Sequence, residues 1–127
     1  MTPAERLRET FVGAVTDVST AHGFPLLRLD KENLPLVAHF VHTHPELRGS
    51  LSLLWAVDHR PREARYELCY LFTLAERKDW LVLCTDVRGE DRLFRSITPH
   101  IHAAKWYERE IRDLFGLVAL GHPDLRR

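Results

Sequence analysis

The chain has 127 residues, 45% of them hydrophobic and 28% charged, enough for one globular domain with a real core and too few for a second. Its 18 basic and 18 acidic side chains cancel, which excludes a global field that would draw it onto nucleic acid or an anionic membrane. No apolar run approaches the roughly 20 residues of a membrane-spanning helix, and the N-terminus lacks the basic start and apolar run of a signal peptide, so a cytosolic location is expected.

The first segment carries helix-start chemistry. Thr2 suits the cap, Pro3 the first helical position and Glu5 the third site of a capping box, while Leu7, Phe11, Ala14, Val15 and Val18 share one helical face. This pattern predicts a helix that stops near His22-Gly23. Phe24 to Leu29 reads as a short extended run, and Asp30 to Thr43 as a second helix with Leu34, Val37, Ala38 and Val41 inward, ended by His44-Pro45. Three strands follow. Ser52 to Asp58 alternates around Leu53, Trp55 and Val57, whereas Tyr66 to Leu74 and Trp80 to Val87 are apolar on both faces, as central strands are. Their connectors, His59 to Arg65 and Ala75 to Asp79, are short and polar, so an antiparallel meander is predicted. Thr98-Pro99 opens a third helical region. There is no internal repeat or low-complexity segment. The order helix, strand, helix, three strands, helix predicts one α+β domain over residues 1–127, a two-layer sandwich of a mostly antiparallel sheet with helices on one face.

Cys69 and Cys84 are too few for a disulfide framework and lack Cys-x-x-Cys spacing, so they read as buried thiols. Iron–sulfur clusters commonly take four cysteine ligands, so this chain cannot hold one unaided. It also carries no Gly-x-Gly nucleotide fingerprint and no P-loop. No catalytic, cofactor-binding or metal residue is assigned.

The densest pattern lies near the C-terminus, in KWYEREIRDLFGLVALGHPDLRR. A helix over Ala103 to Phe115 places Tyr107, Ile111, Leu114 and Phe115 on one stripe. Gly116 suits the left-handed position that closes it. Glu108 with Arg112, and Arg109 with Asp113, fall one turn apart. For a generic helix this is a solvated, salt-bridged face worth about 0.2–0.5 kcal/mol per pair.

The run WYEREIRDLFGL followed by GHPDLRR resembles the C-terminal hallmark of the C-subunit family of NADH-quinone oxidoreductase, respiratory complex I. The same domain occurs in related membrane-bound, energy-converting hydrogenases, including the formate hydrogenlyase type. Ser96-Ile97-Thr98 before Ala103-Ala104 is also similar to that family. The resemblance implies a subunit without chemistry of its own, a clamp in the hydrophilic arm. It would pack on the large subunit that forms the quinone or nickel site, near the small iron–sulfur subunit. Iron–sulfur clusters and quinone or nickel–iron are then expected in partner subunits, with no cofactor in this one. The implied place is the cytoplasmic side of a bacterial inner membrane, peripheral to it. The residues that match the motif, Trp106, Glu108, Arg109, Glu110, Asp113, Gly116, Gly121, His122, Pro123, Asp124, Leu125, Arg126 and Arg127, carry over an interface and folding role only. Arginine fits such a role because its planar fork pairs carboxylates bidentately. Leu117 to Leu120 is expected to run extended, and His122-Pro123 to set the direction of exit.

Two features depart from the complex I pattern. Its members usually continue past Leu-Arg-Arg, whereas this chain ends at Arg127, as a short form or a domain cut from a fusion would. The run His102 to Tyr107 and the compact length look closer to the hydrogenase branch. A different class of reading rests on His39, His42 and His44 with His100 and His102, since three imidazoles suit catalytic zinc. Helical spacing turns His44 away from His39 and His42, and the His-Glu-x-x-His arrangement is missing, so exposed or capping histidines are the expected outcome. An unrelated interaction domain is the remaining alternative.

Overall fold

The computed structural model describes residues 1–21, 23–88 and 92–123. The first helix forms where its cap predicts it, with the Thr2 hydroxyl accepting the Glu5 N–H at 3.1 Å and Pro3 opening α1 (Pro3–Thr10). It then ends early. Gly13 turns the chain at φ +86°, and the stretch expected to continue the helix is instead strand β1 (Val15–Ala21). Val15, Thr16, Val18 and Thr20 are β-branched, which favours the extended state. Their spacing imitates a helix because a bulge between Val15 and Asp17 shifts the register. With one residue extra, Val15 and Val18 both reach the core, three apart rather than two or four.

β1 pairs antiparallel with β2 (Phe24–Leu29), and the chain then passes through α2 (Leu34–Thr43). The predicted meander follows as β3 (Gly49–Asp58), β4 (Arg65–Leu74) and β5 (Asp79–Arg88), antiparallel throughout. β2 then joins β5 in parallel, Leu26 opposite Val82, which gives one five-stranded sheet of order β1-β2-β5-β4-β3. Strand β6 (Leu93–Arg95) and strand β7 (Val118–Leu120) form a small parallel pair. Between them lie a 3-10 turn (His102–Ala104) and α3 (Lys105–Phe115). The extended run expected after Gly116 is thus β7, while β6, three residues long, is too short for alternation to predict.

The helices cover one face of the large sheet. Leu34, Val37, Ala38 and Val41 of α2 are buried, as their spacing predicts. They join Leu68, Tyr70, Phe72, Leu74, Leu81 and Leu83 from alternate positions of β4 and β5. The opposite face holds a separate cluster of Cys69, Val82 and Cys84, flanked by Phe24, Leu26, Trp55 and Leu71 and containing no helical residue. Domain architecture is therefore α+β in two layers, with a mostly antiparallel sheet. In β3 a second bulge, between Leu51 and Leu53, reverses the expected polarity. Leu51 and Leu54 face the core, and Leu53 is 43% exposed.

Helix α2 lies so close to the start of β3 that Gly49 has no room for a side chain. A Cβ there would stand 2.6 Å from Val41 Cγ1 and 3.1 Å from the Val41 carbonyl oxygen. His42 Nδ1 meets the Gly49 carbonyl at 2.8 Å from the same helix. Gly49→Ala is expected to destabilise the domain by about 1–3 kcal/mol through overpacking, read as a lowered midpoint in denaturant; an unchanged midpoint would show that the helix shifts freely.

Candidate docking surface

Helix α3 differs from its predicted pattern at two positions. Leu114, expected inward, is 69% exposed, and Glu108, expected to pair with Arg112 on the surface, has no exposure at all. The inward stripe is Ala104, Glu108 and Ile111, with Tyr107 and Phe115 partly buried against the core. Glu108 belongs to the fold because the segment after β6 presents it with three donors. The Ser96 and Thr98 hydroxyls each donate to Glu108 Oε1 at 2.6 Å, and the Ile97 N–H donates to Oε2 at 2.9 Å. Ser96 Oγ also accepts the Thr98 N–H at 3.1 Å. Ser96, noted in the sequence only by resemblance, and Thr98, read there also as a helix start, are thus the receptor for this carboxylate. Below it, burial first and the Glu108 carboxylate after it hold the Tyr70 phenol proton on, well above the ordinary tyrosine value.

Both ends of α3 are fixed as well. Gly116 adopts φ +72° and donates its N–H to the Arg112 carbonyl at 2.8 Å, the predicted left-handed close. Gly121, at φ +86°, turns the chain after β7. His122 is buried, and its Nε2 lies 3.0 Å from the Lys105 carbonyl, tying the corner back to the first residue of the helix. Pro123 is exposed. Asp124, Leu125, Arg126 and Arg127 lie outside the described residues.

With Glu108 turned inward, the outer face of α3 shows Trp106 at 66% exposure and Leu114 at 69%. Glu110 and Asp113 are also exposed. The Arg109 guanidinium sits 5.0 Å from the Trp106 ring and Lys105 Nζ 5.3 Å from it, so two cations contact the indole. The sequence marked Trp106, Arg109, Glu110 and Asp113; it did not mark Lys105 and Leu114 as part of this face. The histidines fall elsewhere. His39 and His100 meet at 4.8 Å with their rings tilted by 52°, His42 and His44 are taken up by local bonds, and none joins the three-ligand group within 4.8 Å found among the described residues, which is Glu67, Cys69 and Cys84.

These features define a small α+β domain that presents one locked helix, Trp106 outward, beside a tied Gly-His-Pro corner. Residues 27–127 match the family described as respiratory-chain NADH dehydrogenase, 30 Kd subunit, and the chain belongs to that family. The NADH-quinone oxidoreductase C-subunit 2 of Rhizobium etli is 34% identical over 123 residues, 95% of this chain and 65% of that protein. Hydrogenase-4 component G of Escherichia coli is 35% identical over 123 residues, which cover 95% of this chain and 22% of that protein. The solved trypsin-resistant fragment of Nqo5 shares the fold, with a TM-score of 0.75 at 23% identity over 96% of both chains. This chain therefore spans less than two thirds of the first relative.

Two outcomes are expected. Glu108→Ala strands three buried donors and should cost about 3 kcal/mol or more, and Glu108→Gln, whose amide nitrogen faces donors, about 1–3 kcal/mol; thermal unfolding of both variants checks the order. On the opposite sheet face burial raises the Glu67 carboxyl, but bonds from His59 and Arg28 outweigh it, leaving it below its ordinary value of 4.5. Its contribution to stability is therefore full above pH 4.5 and lost as pH falls through the lowered value. The difference in melting temperature between wild type and Glu67→Gln should shrink over that acid range.

Proposed function

We propose that this chain is a non-catalytic assembly subunit in the hydrophilic arm of a complex I-like quinone oxidoreductase or an energy-converting hydrogenase. It packs on the large subunit that forms the quinone or nickel site, close to the small iron–sulfur subunit. The electron carriers belong to those partners, and the complex carries this chain on the cytoplasmic side of a bacterial inner membrane. Support comes from the family match and from relatives named as components of both assemblies. No helix among the described residues is long and apolar enough to cross a membrane, so attachment runs through the complex.

The observation that carries the proposal is the outer face of α3. A tryptophan 66% exposed and contacted by two cations is the type of residue that anchors protein interfaces, where Trp and Arg dominate the binding energy. Exposed Leu114, further along the helix, widens the same patch. The motif residues Glu110 and Asp113 are exposed on the same helix, and His122 ties the Gly-His-Pro corner to Lys105, the residue before Trp106. Quinone-linked and hydrogenase-linked assemblies are both compatible with this face.

Trp106→Ala and Arg109→Ala are expected to change the stability of the isolated chain by less than about 1 kcal/mol, since Trp106 is 66% exposed and Arg109 is half-buried on the outer face of the helix. Co-purification with the large subunit should weaken by about 2–4 kcal/mol for the tryptophan. Unfolding of the free domain with normal capture of the large subunit would instead make this face a structural staple.

A further inference from the structure

We propose that Cys69, Cys84 and Glu67 form a binding site for a thiophilic divalent cation of the zinc class on the helix-free face of the sheet, independent of the partners that α3 meets. The two cysteines are direct cross-strand partners of β4 and β5, both free thiols, with their sulfurs 3.6 Å apart. Two thiolates each about 2.3 Å from a tetrahedral zinc lie about 3.8 Å apart, so the pair is spaced for an ion without backbone movement. A Glu67 oxygen completes a group whose ligand atoms all lie within 4.8 Å of one another. Glu67 accepts from Arg28 and contacts His59 Nε2 at 3.1 Å. A carboxylate has about four acceptor positions, so these contacts leave room for coordination.

Charge favours the exchange. With the thiols protonated, Glu67 and Arg28 already balance; replacing two thiol protons by one divalent ion leaves the sum unchanged. Beside them Asp86 pairs with Arg65 at 2.8 Å and with Arg88 at 3.3 Å, Arg65 pairs in turn with Glu63 at 2.7 Å, and His59 faces Glu67 itself. Facing Cys84 and burial hold the Cys69 proton on, above the ordinary thiol value, so the ion must displace protons that solvent alone does not remove. Access is from the charged side, where the His59 and Arg28 side chains are 28% and 34% exposed.

The test is Co2+ titration of the purified chain in a phosphine reductant, after alkylation has confirmed two free thiols. One Co2+ per chain is expected, with the near-ultraviolet charge-transfer band of thiolate ligation and the visible bands of tetrahedral cobalt, both erased by equimolar Zn2+. Since two protons leave, apparent affinity should rise about 100-fold per pH unit while both thiols start protonated. Cys69→Ser and Cys84→Ser should each lose most of the band, and Glu67→Gln should keep it while binding at least about tenfold more weakly. If a serine variant does not fold, the wild-type stoichiometry and pH slope decide. A folded, reduced wild type without the charge-transfer band at millimolar Co2+ overturns the site. So does binding that shows imidazole ligation alone, as the His39–His100 pair would give.

Discussion

The buried Glu108 carboxylate is the constraint on which the C-terminal half of the domain depends. A carboxylate removed from water must recover its hydration from the protein, and here the compensation is three neutral donors supplied by three consecutive residues, Ser96 to Thr98. Each of those donors is itself buried or fixed, so neither side of the contact has an alternative partner in solvent. The arrangement sets the rotation of α3 about its own axis. Once Glu108 points inward, Trp106 and Glu110 must point outward, because residues two apart on a helix face away from each other. The outer face is thus a geometric consequence of the buried one.

The same rotation explains where the sequence was legible. Apolar spacing located α2 and its four inward residues, and runs apolar on both faces located β4 and β5, because in those elements burial follows hydrophobicity. The left-handed Gly116 was legible because few other residues tolerate that conformation. Where the expectation failed, register or polarity was the cause. In β1 and β3 a bulge moved inward residues to odd spacing, so Val15 and Val18 matched a helix and Leu53 displaced Leu54 as the core residue. In α3 a glutamate took the place of a leucine on the inner stripe. Hydrophobicity cannot reveal that exchange, since the donors that permit it lie more than two helical turns upstream in sequence. The motif residues at 124–127 remain a matter of resemblance.

The two faces of the large sheet have different chemistry, and each suits a different task. Under the helices the packing is apolar and continuous, with Gly49 admitting α2 at van der Waals limit. The other face divides into an apolar part, Phe24, Leu26, Trp55, Leu71 and Val82, and an ionic part in which Arg28, Arg65, Glu67 and Asp86 pair across strands. The cysteine pair lies on the boundary. Sequence alternation sorts residues between these faces, but it does not say that thiols from two strands will stand opposite one another; that is fixed by the register of the β4–β5 hairpin.

The parallel seam between β2 and β5 gives the sheet an internal order of assembly. β1 with β2, and β3 with β4 and β5, are neighbours in sequence and close through short turns. Leu26 meets Val82 only after α2 and two further strands have been traversed, so that seam carries the largest single loop-closure cost of the sheet. Contacts of this range slow folding more than they add stability. The hairpin and the meander can each close from residues near in sequence, and the β2–β5 seam is the contact that fixes how the two are placed in one sheet.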